Sequence, residues 1–259
     1  MGMTYVGVIG EPGPGTANPA SFGFEVDNSA LLAGATLSLN PTEAAGYLAI
    51  RDIDRGAGGG GMSLAYCRDV EGATNAFHGT YQVGKALTEW LSLGLGAACS
   101  ASSPDGSKPS SYLLTSEAGA VIRLGALRIG AVVSDISATT FMTDEEATTV
   151  FAPMLSAGVA LQTRGGVTLA IDAHDIVSAA ADSEPWYSGG AEVRLASKLI
   201  PGSSFAFRAG AAFGGDVGED RPSYTAGIGF DSGAFSLGYA VIGGGGGPVV
   251  HCIGLGGSF

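Results

Sequence analysis

Ile253-Gly254-Leu255-Gly256-Gly257-Ser258-Phe259 ends the chain, large apolar residues alternating with small ones up to a terminal aromatic. Successive side chains of a strand point to opposite faces, so a period of two marks a strand whose faces meet different surroundings. Here one face is apolar and the other is glycine or serine. An alternating strand closing on an aromatic carboxyl terminus is the ending expected of a membrane-spanning β-barrel, with lipid on one face and the lumen on the other.

The same parity returns along most of the chain. Leu91, Leu93, Leu95, Ala97 and Cys99 alternate with Ser92, Gly94, Gly96, Ala98 and Ser100. Phe235, Leu237, Tyr239 and Val241 alternate with Ser236, Gly238 and Ala240, and Tyr224, Ala226, Ile228 and Phe230 with Thr225, Gly227, Gly229 and Asp231. Counted from Ala30, such runs give about fourteen strands of roughly nine to twelve residues, near the length a tilted strand needs to cross a bilayer. The expected fold is therefore all-β: a transmembrane antiparallel β-barrel over residues 30–259, preceded by a short N-terminal plug or leader segment, residues 1–29.

Composition agrees. The 259 residues include 44 Gly, 14% are charged, and mean hydropathy is +0.30. A soluble domain carries about 25% charged residues, and no window offers the roughly 18 apolar residues of a spanning helix. Lys+Arg number 12 against Asp+Glu 24, a net charge of -12, which excludes nucleic acid as a partner because no basic patch can displace phosphate counterions. Cys67, Cys99 and Cys252 are odd in number and far apart, and read as apolar fillers. Met1-Gly2-Met3-Thr4-Tyr5-Val6 has neither the basic nor the apolar region of an export signal. A bacterial outer-membrane location then implies that the sequence given is a mature or trimmed form, or has a misplaced start; a cytosolic β-protein is the alternative.

Barrels of this kind have short periplasmic turns and longer outer loops. Gly125-Ala126, Arg164-Gly165-Gly166, Ser232-Gly233 and Thr88-Glu89-Trp90 are short links, all at one end. Ser102 to Ser110, Ser137 to Phe151, Ser178 to Trp186 and Gly214 to Pro222 are longer links at the other, and they hold much of the acidic excess. Trp90, Tyr112, Trp186 and Tyr187 fall at strand ends, where an interfacial aromatic girdle is expected.

Leu87-Thr88-Glu89-Trp90-Leu91-Ser92-Leu93-Gly94, Ile122-Arg123-Leu124-Gly125-Ala126-Leu127-Arg128-Ile129-Gly130 and Gly189-Gly190-Ala191-Glu192-Val193-Arg194-Leu195, with Asn18-Pro19-Ala20 and Phe259, resemble phrases of the PorV-type outer-membrane proteins. These are related to the long-chain fatty-acid transporter (FadL-like) superfamily. The resemblance implies fourteen strands, an N-terminal segment folded into the lumen with Asn18, Pro19 and Ala20 as its anchor, and partners among surface or secretion proteins. The short N-terminus and compact loops depart from that pattern.

Parity turns Glu117, Arg123, Arg128, Asp172, His174, Glu192, Arg194, Arg208 and Asp231 toward the lumen. Ionisable groups at membrane depth pair with one another or face a functional cavity. Arg123, Arg194 and Arg208 are the candidate ligand-binding residues, because a planar guanidinium suits a carboxylate. Asp172 and His174 share a face but lack the further partners that catalysis or a metal needs; His78 and His251 stand alone. No zinc-hydrolase helix, nucleophile elbow or zinc cysteine pair occurs, and Gly10-Glu11-Pro12-Gly13-Pro14-Gly15 lacks the lysine of a phosphate loop. The chain reads as a non-enzyme without cofactors or metal that contacts membrane lipid and either passes or binds a hydrophobic small molecule, such as a fatty acid, or serves as a non-transporting anchor for surface or secretion proteins. A soluble all-β protein is the third reading.

Overall fold

The computed structural model describes residues 18–24, 30–38, 43–54, 58–69, 75–103, 111–142, 148–150, 153–178, 184–198, 200–215, 222–244 and 249–258. Phe259, the Gly10 to Gly15 run and most of the segment 1–29 lie outside them. The strands are β1 Ala30–Ser38, β2 Glu43–Asp54, β3 Gly58–Asp69, β4 Asn75–Ala86, β5 Leu91–Ser103 and β6 Ser111–Leu124. There follow β7 Leu127–Ser134, β8 Ala138–Met142, β9 Thr148–Val150, β10 Met154–Gln162 and β11 Val167–Ser178. The last are β12 Trp186–Ala196, β13 Ser204–Gly214, β14 Ser223–Asp231, β15 Phe235–Gly244 and β16 Val250–Ser258.

All the recorded pairings are antiparallel, and β1 pairs with β16 from Ala30↔Ser258 to Ser38↔Val250 while β5 pairs with β6. The sheet therefore closes on itself. Lipid offers no partner for backbone N–H and C=O groups, and closure is what satisfies them in a spanning sheet.

The link from Ser137 to Phe151, expected to be a plain loop, contains β8 and β9. Ala138↔Val150 and Thr140↔Thr148 continue the register in which Ser134↔Met154 and Leu127↔Leu161 pair, so β8 prolongs β7 and β9 prolongs β10. The sixteen strands thus make fourteen crossings. A bulge separates the two parts: β6 pairs with β7 up to Ala118↔Val133 and with β8 from Thr115↔Ala138, which leaves two extra residues on the β7–β8 side. Asp135 (φ 50°) lies in it, and Asp175 (φ 55°) lies in the matching register shift between β10 and β11. Aspartate tolerates this left-handed region better than most residues, and the Asp175 N–H donates to Ser156 Oγ at 3.2 Å.

Leu93, Leu95, Phe207, Ile228, Phe235, Leu237 and Leu255 are exposed on the outer face. Ser92, Ser188, Ala206, Ala212 and Ala240 are buried on the inner one. Lys85 has outward parity and is exposed, but stands one residue from the end of β4, where its stem reaches the interface. Tyr112, Phe141, Tyr187 and Tyr224 are exposed toward the loop end, and Trp90, Phe205 and Phe235 toward the short-turn end. Trp186 departs from the expected girdle. It stacks on buried His174, ring centroids 3.6 Å apart, because both occupy inward positions of paired strands. Nor do the other histidines stand alone: His78 Nδ1 meets Ser100 Oγ at 2.7 Å, and His251 Nδ1 meets the Tyr239 hydroxyl at 2.5 Å.

Leu237→Arg puts a charge on the lipid face two residues inside β15 and should destabilise the barrel by about 1–3 kcal/mol, between the interfacial and midplane costs, measured by reversible denaturant unfolding in bilayers.

Candidate functional site

The lumen holds the candidate site, and its best-defined part is the 3₁₀ turn Pro19–Phe24 with Asn18 before it. Asn18, Pro19, Ala20 and Phe22 are buried against the inner face of β3 to β6. Gly84, Gly94 and Gly119 are register partners across β4, β5 and β6, and this row of missing side chains makes the seat. A Cβ at Gly84 or Gly94 would collide with the backbone of Pro19, and one at Gly119 with the Asn18 amide. Gly61 likewise leaves room for the Phe22 ring.

Hydrogen bonds hold the turn in this seat. The Asn18 amide nitrogen donates to Ala120 O at 3.1 Å and to Ala131 O at 2.9 Å, tying together two paired strands. Its amide oxygen accepts from Ala20 N–H at 3.0 Å, and the Ser92 hydroxyl donates to Ala20 O at 2.6 Å. Asn18, Pro19 and Ala20, singled out from the sequence, thus stand together at the lumen wall. The glycines that receive them are legible in retrospect as inward glycines on three successive strands, but only register reveals that they form a row.

The inward charges fall into separate groups. Two residue pairs along the wall from the seat, Glu117 lies back over Gly96, and Gln82 Nε2 donates to its Oε1 at 2.6 Å. On β12 and β13, Arg208 Nε meets Glu192 Oε2 at 2.7 Å and Arg194 Nη2 meets Glu192 Oε1 at 3.3 Å. Both oxygens of Glu192 are engaged, and Arg208 and Glu192 are largely buried. Arg123 is elsewhere: exposed beside the turn Gly125-Ala126, opposite Arg128, whose Nη2 reaches Gln162 Oε1 at 3.4 Å. So the structure brings Arg194 and Arg208 together and leaves Arg123 apart from them. Asp231 Oδ1 accepts from Gly233 N–H at 2.7 Å in a short turn. Asp172 is fully buried on β11 beside Gly158, while His174 Nε2 and Ser188 Oγ stand 3.4 Å apart.

Among the described residues no group of three or more His, Cys, Asp or Glu could hold a metal ion, and Cys67, Cys99 and Cys252 form no disulfide. What the site offers is shape and hydrogen bonding: a small-residue wall, a seated turn and a few paired charges.

No protein-family model and no curated protein matches the chain. Solved structures do. A mutant of TodX, a monoaromatic hydrocarbon channel, is similar with a TM-score of 0.63 and 9% identity, covering 98% of this chain and 98% of that one. CymD, another monoaromatic hydrocarbon channel, is similar with a TM-score of 0.62 and 11% identity, over 93% and 91%. The outer membrane protein Omp33 of Acinetobacter baumannii is similar with a TM-score of 0.53 and 11% identity, over 90% and 98%. At such identities the shared property is the fold.

Gly94→Leu should dislodge the turn, because its Cβ meets backbone that cannot yield, while leucine itself suits a strand. Asn18→Ala should weaken the seat by three hydrogen bonds, two to the wall and one within the turn, each worth about 0.5–1.5 kcal/mol. Limited proteolysis with mass spectrometry should find residues 18–24 cut in both variants, more in Gly94→Leu, with the wall still resistant.

Proposed function

We propose that the chain is a bacterial outer-membrane barrel that binds and passes a hydrophobic small molecule, a fatty acid or lipid-like compound, with segment 1–29 as its gate. The observation that carries this is the seated turn. A lumen whose inner face is otherwise small is occupied at β3 to β6 by a peptide held through side-chain hydrogen bonds and a glycine row, contacts that can be broken without opening the wall. Short turns at one end and longer links at the other support a periplasmic and an outer end respectively. The similar barrels described as hydrocarbon channels support the ligand class, and the PorV-type resemblance supports the superfamily.

The arginines have unequal places in this reading. Glu192 already supplies a carboxylate to Arg194 and Arg208, so a ligand carboxylate has to compete with it there. Arg123, exposed near the periplasmic mouth, meets no such competitor on its opposite strand position, which is Arg128.

The test is displacement of a neutral lipophilic dye by decanol, with the barrel in phosphatidylcholine nanodiscs and empty nanodiscs as the blank. Saturable displacement is expected; its absence favours the anchor reading. Deleting Met1 to Phe22 should raise single-channel conductance in planar bilayers, and unchanged conductance in a folded barrel removes the gate.

A further inference from the structure

Among the described residues, Glu117, Asp172 and Glu192 face the lumen from strand interiors, and their surroundings differ in kind. Glu117 is met by Gln82, and Glu192 by Arg208 and Arg194. Asp172 is fully buried, and neither Oδ1 nor Oδ2 has a hydrogen-bond partner. Its paired positions on the adjoining strands are Gly158 and Ser188, and that line continues through Gly130 on β7 and Ala212 and Ser223 on β13 and β14. None of these can neutralise a carboxylate.

The neighbouring inner surface holds further unpaired polar atoms, hydroxyls that accept as well as donate. Ser223 Oγ and Thr225 Oγ1 on β14 are buried without partners. Two residues along β11, the His174 ring lies flat on Trp186, giving an aromatic face beside the carboxylate. Buried polar atoms are satisfied as a rule, and a lone carboxylate is strongly disfavoured without donors. The carboxyl lies back over Gly158, where any Cβ would collide with it, so a glycine at that position is what makes room for the carboxyl on the inner face.

We infer that Asp172 is the headgroup subsite for a ligand bearing a hydrogen-bond-donating cation, an alkylammonium, whose apolar chain lies on the small-residue face of β13 to β15. An ammonium offers several donors to the two carboxylate oxygens, and π faces attract cations. A metal ion is the poorer fit, since no third ligand stands near among the described residues. The inference deepens the proposed hydrophobic-ligand function and rests on it. It also reverses the expected sign of the headgroup, from a carboxylate on arginine to a cation on aspartate.

Three amphiphiles of equal chain length decide the matter: decylammonium, decanol and decanoate, each competing with a neutral lipophilic dye on the barrel in phosphatidylcholine nanodiscs against empty nanodiscs. Decylammonium should bind at least about tenfold more tightly than decanol, the scale of a charge-assisted hydrogen bond, and decanoate no better than decanol. Asp172→Asn should abolish that preference and leave decanol unchanged. It should still fold, since the group removed has no partner in the wall, and heat-modifiable migration on a gel checks this. Gly158→Ala, which shifts the carboxyl without removing it, should alter decylammonium binding alone. Equal binding of decylammonium and decanol by the parent, a preference that survives in Asp172→Asn, or a Gly158→Ala effect as large on decanol as on decylammonium overturns the inference while the hydrophobic-ligand reading stands. Failure of all three compounds to bind overturns both.

Discussion

Everything in this molecule follows from the pairing of β1 with β16. A sheet in lipid has nowhere to leave an unpaired edge, so the first and last strands must meet. Closure then divides the residues of the paired strands into those that face out and those that face in. The outward set can be large and apolar, because lipid accepts any such side chain. The inward set must fit a bounded space, which is why glycine, alanine and serine dominate it and why a single row of glycines is enough to shape a seat.

That seat shows how a local sequence property becomes a tertiary one. Gly84, Gly94 and Gly119 are far apart in sequence and unremarkable in isolation, since many inward positions of the chain are glycine. Register aligns them, and the alignment removes three side chains from one band of the wall. Into it fits a peptide whose backbone groups find partners in the Asn18 amide oxygen and the Ser92 hydroxyl, while the Asn18 amide nitrogen donates to the carbonyls of Ala120 and Ala131. The turn is thus bound as a ligand would be, by shape with a few directed hydrogen bonds.

The strands were legible because period two is imposed by backbone geometry and needs no knowledge of neighbours. The fourteen crossings equal the expected number, and most of the strands have nearly the expected length. What escaped was what the period alone does not carry. At Asp135 the bulge admits two extra residues, a full period, so the inward phase is kept; β8 reads as loop because Ala138-Thr139-Thr140-Phe141-Met142 shows too little contrast between its two faces. Trp186 looked like a girdle residue because it stands at a strand end; that it faces His174 depends on the inward register of β11 against β12. The tripeptide Asn18-Pro19-Ala20 was found through resemblance, whereas its seat needed the register. Parity placed the inward charges but could not pair them, since pairing is a property of adjacent strands.

The pairing matters because a lumenal charge has meaning only relative to its neighbours. By parity alone, Arg194, Arg208, Glu192 and Asp172 are four equivalent inward charges. In three dimensions one acid is shared by two arginines, which is the default fate of ionisable groups at membrane depth. Asp172 lies four residues further along the register toward the loop end, on a line of Gly, Ala and Ser, where the arginines already committed to Glu192 are not its partners. Had the wall been selected only to be inert, Asn or Ser at this position would cost less than an acid with both oxygens unsatisfied. A carboxylate in such a place is a site whose partner comes from outside the wall, and its sign fixes the sign of that partner.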